Sequence, residues 1–477
     1  MFMHAALTQR KEITVEDSKS KKINRRRFLS GSAALGAGAA ASLAMVPPGN
    51  AEVDVAFVTD FEKPVKPFID QYYDGHMEIA QGTRDESVGT IAKAMEKAYE
   101  CIQNGGKVHC RLQTGHFVMF AGSEDLKGQP NLLPNTRMPR GSSQEMKKGD
   151  FYITNGGGGN LNQLRESGVY VVGLTCNYSK FAKTPPGFLR SDDRPAIEDV
   201  CDLVIDTHVP FYNGLVNAPQ IPGFRLCPSS GNAMMLVYWA CTASFANLIG
   251  TKGRGSSTTP AGNYLDLAIE RFRMIGTDRP KMDKVAEKWA DLVLDKKARL
   301  LVYGRPQLGT AYDGCTNMFV NEAHIVASGS MIARQYDQFA DQLKEGDIVL
   351  IGSVDSNHPL EIKVARHAKS AKAYSTAFTS YGIDGDSSGT QLFKEVDAAF
   401  NNYSDESEGV LEIEGFDKKI CPLTGLTGNM IHWMLMASWT DHMASRGEMP
   451  YYYQGFHERD GQAYDALAEP LYEKRGY

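Results

Sequence analysis

The 477-residue chain has no surplus of positive charge: 51 Lys and Arg against 57 Asp and Glu leave a formal net charge of −6. A phosphate backbone would find no electrostatic footprint on it, which argues against nucleic acid as a partner. The eight cysteines include no CxxC pair and no zinc-ribbon spacing, so a cysteine metal site has no basis. GxGxxG and GxxxxGK[ST] loops are also missing, and with them any sign of nicotinamide or ATP chemistry. Beyond the N-terminal leader, no segment reads as long and apolar enough to span a membrane.

What is present is a soluble globular balance, 42% hydrophobic and 23% charged residues, in a chain too long for one ordinary core. The stretch "NRRRFLSGSAALGAGAAASLA" sets Arg25 and Arg26 before Phe28 and Leu29, a weakly apolar Ala- and Gly-rich run, and then small residues. It resembles a twin-arginine export signal. Residues 1–51 are therefore expected to be a leader cut after Ala44 or Ala51, leaving a periplasmic or otherwise extracytoplasmic protein with no membrane attachment. Cys110, Cys176, Cys201 and Cys241 lie in apolar runs and read as buried core thiols.

The sequence answers itself at an offset of roughly 195 residues. "IAKAMEKAYECIQNGGKVHCRLQTGHFVMF" from Ile91 parallels "VAEKWADLVLDKKARLLVYGRPQLGTAY" from Val285; "KKGDFYIT" from Lys147 parallels "KEGDIVLIGS" from Lys344; and "LCPSSGNAMMLVYWACTASFANLI" from Leu226 parallels "ICPLTGLTGNMIHWMLMASWTDHM" from Ile420. Each copy alternates helix and strand. "GVYVVGLTC" and "GDIVLIGS" are continuous apolar runs, the pattern of strands buried on both faces of a parallel sheet. The expected class is α/β, with two tandem αβα sandwich units, flavodoxin- or Rossmann-like, and mostly parallel sheets. Residues 52–250 form the first unit, 251–280 the linker that opens with "TKGRGSSTTPAGN", and 281–477 the second unit. Ligands of such sheets bind beyond the carboxyl ends of the strands.

Taken in order, "TGHFVMFAGSED", "KKGDFYITNGGGGN", "VVGLTCNYS", "CDLVIDTHVPFYNGLV" and "CPSSGN" resemble tandem sugar isomerase (SIS) domains, nearest the phosphoheptose-isomerase-like branch. The tail "RGEMPYYYQGFHERDG" is similar to the end of such proteins. The resemblance implies a protein that binds a small sugar derivative, usually phosphorylated, and isomerises an aldose and a ketose without a cofactor. It also marks a departure. Where the family has S-x-S-G-x-T around a phosphate, this chain has "TNGGGG": Thr154 keeps one hydroxyl, and Gly156 stands at the next hydroxyl position. In "GSVDSNHP" of the second copy, Asp355 puts a negative charge where a phosphate would sit. Each hydroxyl that no longer bonds to an anion forfeits about 1.5–3 kcal/mol. A neutral or weakly acidic sugar is the expected ligand.

Isomerisation needs a base that moves a proton between adjacent carbons, so His and carboxylate groups near these loops are the candidates. His116, Glu322 and His324 are the catalytic candidates, with Glu322 and His324 on what reads as a helix. Ser328 stands where phosphoheptose isomerases carry a metal-contacting Glu, so no metal site is assigned. Candidate ligand contacts are Thr114, Gly115, Thr154, Asn155, Gly156, Gly157, Gly158, Asp206, His208, Ser229, Ser230, Arg305, Ser353 and Ser356. Ser229 and Ser230 could equally cap the helix that follows. His432, in an apolar helix, reads as core. The Met and aromatic residues over 234–245 and 430–439 recur at helical spacing and read as packed interior, between copies or between subunits of a homo-oligomer. Three functions stay open: an isomerase, a sugar lyase or etherase on the same scaffold, and a sugar-binding or sensing protein without turnover.

Overall fold

The computed structural model describes residues 57, 64, 66–112, 128–134, 146–156, 160–176, 179–186, 194–304, 321–324, 343–353, 355–381, 387–404, 409–452 and 461–477. The chain divides after Glu52, and every described residue belongs to the unit Val53–Tyr477.

Two helices open that unit, α1 (Phe68–Gly82) and α2 (Val88–Gln103), joined by a π-helical turn over Thr83–Ser87. A first sheet follows, all parallel, in the order β1 (Val108–Arg111), β2 (Phe151–Thr154), β3 (Tyr170–Leu174) and β4 (Leu203–Ile205). Short helices α3 (Leu161–Glu166) and α4 (Ile197–Val200) connect its strands. An antiparallel hairpin, β5 (Gly214–Asn217) and β6 (Arg225–Pro228), leads into α5 (Ser230–Gly250), α6 (Thr258–Thr277) and α7 (Arg279–Lys296).

The second sheet comprises β7 (Leu300–Gly304), β8 (Asn321–His324), β9 (Ile348–Gly352), β10 (Tyr374–Thr379) and β11 (Ala398–Asn401), parallel, in the order β11-β10-β9-β7-β8. It carries α8 (Pro359–Ser370) and α9 (Gln391–Lys394), and the chain continues to α10 (Thr424–Ser445) and α11 (Gly461–Arg475).

The continuous apolar runs are buried on both faces for a visible reason. Phe151 and Ile153 of β2 point into the main core, whereas Tyr152 packs with Leu161, Leu164 and Ile197 beneath α3 and α4. In β9, Ile348 and Leu350 face the same main core, while Val349 and Ile351 meet Ile362 and Val364 of α8. Neither face can be polar, so the two-residue alternation of a half-solvated strand is absent.

At the centre of that main core lie α5 and α10, which carry three of the four tryptophans, Trp239, Trp433 and Trp439, all buried. Helix α5 corrects the expectation that nothing after the leader could span a membrane. Its mean hydropathy of 1.4 over a membrane-length window passes that test, yet 83% of the window is buried inside the protein. The apolar side chains are consumed by packing on α2 and α6.

Two further expectations change. The stretch read as a linker is mostly helix: only residues 251–257 turn, and α6 then runs from Thr258 with Pro260 in its first turn, where a missing amide costs nothing. Ala261, Tyr264, Leu265, Ala268 and Phe272 on one side of α6 are buried, and this stripe rather than the Gly- and Ser-rich start decides the structure. Glu322 and His324 lie in strand β8, not in a helix. Residues 321–324 take an edge position beside β7, pairing Val302 with Glu322 and Gly304 with His324, and the ladder outweighs the helical preference of Glu and Ala. The seven described cysteines are all buried and none is bridged.

The two sheets use the same local devices. Asp150 accepts the amide of Lys147 at 2.9 Å, and Asp347 that of Lys344 at 2.8 Å; each turn is closed by a glycine with positive φ, Gly149 at 91° and Gly346 at 86°. Asp202 takes the Val171 amide, and Asp397 the Ser375 amide, both at 2.8 Å. Before the long helices, Cys227 and Cys421 are both left-handed, with φ 60° and 63°, a strained conformation for a residue that precedes proline.

Candidate functional site

The carboxyl ends of β2, β3 and β4 gather the polar residues of the first sheet. As β4 ends, Asp206 closes a tight turn: its Oδ1 accepts the amide of His208 at 2.9 Å, and His208 takes the left-handed φ of 58° that this turn requires. The same oxygen accepts the Thr175 hydroxyl from the end of β3 at 2.9 Å. Thr207 turns back to β3, donating its hydroxyl to the Thr175 carbonyl at 2.6 Å. The other oxygen of Asp206, Oδ2, has the exposed Lys183 ammonium at 3.4 Å. Burial by itself would raise the Asp206 pKa, but the His208 amide and imidazole, the Thr175 hydroxyl and Lys183 outweigh it and hold the carboxyl below its ordinary range.

The π-helical turn supplies the wall opposite. Ser87, at its end, donates its hydroxyl to the Asp206 carbonyl at 2.6 Å and lies 3.2 Å from Nε2 of His208. The single Ser87 proton is committed to the carbonyl, so Nε2 carries the proton in that contact and Nδ1 is the basic nitrogen. The imidazole rests on Gly82. A Cβ there would fall 2.7 Å from Nδ1 and 2.8 Å from Cγ, so the ring occupies space that only glycine leaves open. Insertion of a π turn between α1 and α2 is what brings Gly82 and Ser87 to the same imidazole.

Beside this cluster, β2 ends in Thr154, whose Oγ1 accepts the Gly156 amide at 3.0 Å. The Asn155 carbonyl receives Ser179 Oγ at 2.8 Å and Cys176 Sγ at 3.1 Å, tying the turn to the end of β3. Asn155 is fully buried and Gly156 half-buried. Ser229 and Ser230 are fully buried at the start of α5 and do not cap it with their side chains. Asn213 does so: its Oδ1 accepts the amides of Ser229 and Ser230 at 3.2 and 2.8 Å, and its carbonyl accepts Ser229 Oγ at 2.7 Å. Asn213 is itself left-handed, φ 60°, which asparagine tolerates better than most residues.

The second sheet brings different groups to the corresponding end. Asn401 Oδ1 accepts the Tyr403 amide at 2.9 Å and Tyr403 has φ 53°, the same turn as at Asp206 but without a charge. Ser380 Oγ meets Asn402 Oδ1 at 2.8 Å and Ser404 Oγ at 2.6 Å, and Ser404 reaches Thr424 at 3.0 Å, all buried. Tyr403 is anchored by its hydroxyl to Asp278 at 3.0 Å; burial and that carboxylate push its pKa up to about 12. Ser353 and Ser356 are buried, and Ser353 Oγ donates to the Asp355 carbonyl at 2.7 Å. The Asp355 carboxylate takes the Asn357 amide at 2.9 Å and so serves its own turn.

Of the candidates, Thr154, Asn155, Gly156, Asp206 and His208 thus share one end of the first sheet, whereas Ser229 and Ser230 are taken up by Asn213 and Ser353 and Ser356 belong to the second sheet. His324 pairs in register with the last residue of β7. Thr114, Gly115, His116, Gly157, Gly158 and Arg305 lie outside the described residues. His432 is core, 1% exposed and edge-on to Trp433 at 4.7 Å. Sequence reasoning missed Gly82, Ser87, Thr175, Lys183 and Asn213. Only Thr175 had a signal, as the polar residue that ends an apolar strand.

Two other features do not compete. The string "GDSSG" at Gly385 matches GxSxG, but its first two residues lie outside the described residues and Ser387 comes eight residues after the end of β10, farther than a strand-to-helix nucleophile turn requires. A groove of about 330 Å³ at the amino end of β10 is lined by Lys369, Lys372, Glu395 and Asp397. Glu395 there is already paired with Arg366 at 2.9 Å and Lys369 at 3.7 Å.

No family model matches this sequence, and no curated protein does. Among solved structures, the chain is similar to the C-terminal domain of glucosamine-fructose-6-phosphate aminotransferase from Francisella tularensis (8% identity, 78% of this chain and 98% of that one, TM-score 0.42). It is also similar to glucosamine-6-phosphate deaminase from Thermotoga maritima (11% identity, 80% and 95%, TM-score 0.42). A phosphoheptose isomerase from Francisella tularensis matches a smaller part (13% identity, 38% and 95%, TM-score 0.27).

Proposed function

We propose that this protein is an exported, sugar-isomerase-type protein built of two copies of one αβα unit, and that it moves a proton on a sugar bound at the carboxyl ends of β2, β3 and β4. The observation that carries the reading is the hydrogen-bonded set Ser87, His208, Asp206 and Thr175. It sets an imidazole beside an ionised, partly exposed carboxylate, at the strand ends where ligands of parallel sheets bind. The imidazole carries the proton, and Asp206 Oδ2 accepts a sugar hydroxyl. The motifs that resemble SIS domains supply the substrate class. The shared devices of the two sheets support the duplication, and Arg25 and Arg26 support export.

The test is to incubate the purified chain with a panel of aldoses and ketoses, free, aminated and phosphorylated, in heavy water. The expected result is solvent deuterium on C1 or C2 by NMR, lost in His208→Gln. Exchange that survives His208→Gln but not His116→Gln moves the base to His116. Sugar binding without exchange reduces the protein to a binding module, and no binding by any sugar overturns the proposal.

A further inference from the structure

The charge at Asp206 exceeds what the fold requires of it. Asn401 builds the same turn in the second sheet, with the same 2.9 Å bond to the residue two positions on and the same left-handed φ there. A neutral amide therefore suffices for the backbone. What the carboxylate adds is negative charge on a side chain 39% exposed, whose Oδ2 has, among the described residues, Lys183, itself 76% exposed, at 3.4 Å. That one exposed cation balances the one carboxylate, and among the described hydrogen-bond and ion-pair partners of Asp206 no second cation is left for a phosphate dianion.

Among the described residues, the places where an anion could otherwise be gripped are already occupied or weak. At the Gly-rich turn, the Gly156 amide is given to Thr154 Oγ1, and the helix that follows has only six residues, too few for a strong dipole. At α5, a long helix, the first amides are taken by Asn213 Oδ1 inside a fully buried cap. The neutral amide oxygen sits where an anion's oxygen would have to sit.

We infer that Asp206 is a specificity residue that selects sugars without an anionic group, neutral or bearing an ammonium, and rejects their phosphates. The inference rests on the reading of these strand ends as the sugar site. Oδ2 accepts a hydroxyl or ammonium proton from the ligand, with Lys183 swinging aside, and repels a phosphate brought to the same place.

Isothermal titration of the full chain tests it, using glucose, galactose, mannose and fructose, then glucosamine, then the 6-phosphates and inorganic phosphate, against the wild type and Asp206→Asn. The variant keeps the turn, as Asn401 shows, and an unchanged melting temperature confirms that it folds. The expected result is that the free or amino sugar binds at least about tenfold more tightly than its 6-phosphate, and that Asp206→Asn removes most of this preference. Tighter binding of a 6-phosphate to the wild type overturns the inference and leaves the sugar site standing. The same holds if the preference is unchanged in Asp206→Asn. Failure of every sugar to bind overturns the site itself, and the inference with it.

Discussion

At the carboxyl end of the first sheet, Asp206 and His208 form a turn that carries charge and a titratable ring; at the end of the second, Asn401 and Tyr403 form the same turn from neutral groups. The imidazole of His208 is half-buried and leans on a serine, whereas the phenol of Tyr403 is tied to Asp278 and keeps its proton near neutral pH. Around Asn401 the hydroxyls of Ser380, Ser404 and Thr424 close on one another out of solvent. A shared backbone device has thus been furnished with a carboxylate and an imidazole in one sheet and with neutral, mostly buried groups in the other. Chemistry follows the side chains, not the turn.

Exchanging the furniture should expose that difference. Asn401→Asp places a carboxylate in a site 1% exposed and should destabilise the protein by about 3–5 kcal/mol in urea denaturation at pH 7. The reciprocal Asp206→Asn, at a partly exposed position, should change stability by less than about 1 kcal/mol.

The core between the two regions gives the next effect. His76 of α1, fully buried with burial pushing its pKa down to about 3, lies 3.3 Å from Asn232 of α5, which accepts the Asn429 amide of α10 at 2.7 Å. The folded pKa is depressed, so the native state stays neutral while the unfolded chain takes up a proton. Stability is then complete above pH 6.5 and is lost as the pH falls from 6.5 towards 3, by about 1 kcal/mol per unit. Urea titrations at pH 7, 5.5 and 4.5 should show this slope in the wild type and a shallower one in His76→Leu.

Smaller effects separate the turns themselves. Gly82→Ala drives a methyl into the His208 ring; a cost of about 1–3 kcal/mol is expected, together with loss of deuterium exchange. Ser87→Ala removes the Nε2 partner and the bond to the Asp206 carbonyl, so about 1 kcal/mol of stability should be lost and deuterium exchange should fall. If Gly82→Ala and Ser87→Ala leave exchange untouched, the contrast between the two turns has no catalytic meaning.

Much of the fold could be read from the pattern of residues. The runs that became β3 and β9, the helices that became α2 and α7, and the buried Met and aromatic stripes of α5 and α10 all follow from local periodicity, which burial enforces residue by residue. Misreadings came where a partner outvoted local preference. The Gly- and Ser-rich linker hid the start of α6, because the apolar stripe that docks that helix begins only at Ala261. "NEAH" joined a sheet edge. The positions of three candidates were legible as well: Asp206, His208 and Thr154 stand at or just after strand ends, and strand ends can be located from sequence.

Sequence alone determined the strands buried on both faces and the long apolar helices, because each depends on residue type and spacing within one segment. Tertiary structure decided which of the candidates meet. Gly82 and Ser87, well over a hundred residues before His208, reach its ring only through a π turn, and Asn213 closes the amides at the start of α5 from the far side of a hairpin. Such meetings depend on how elements pack against one another, and no local pattern encodes them.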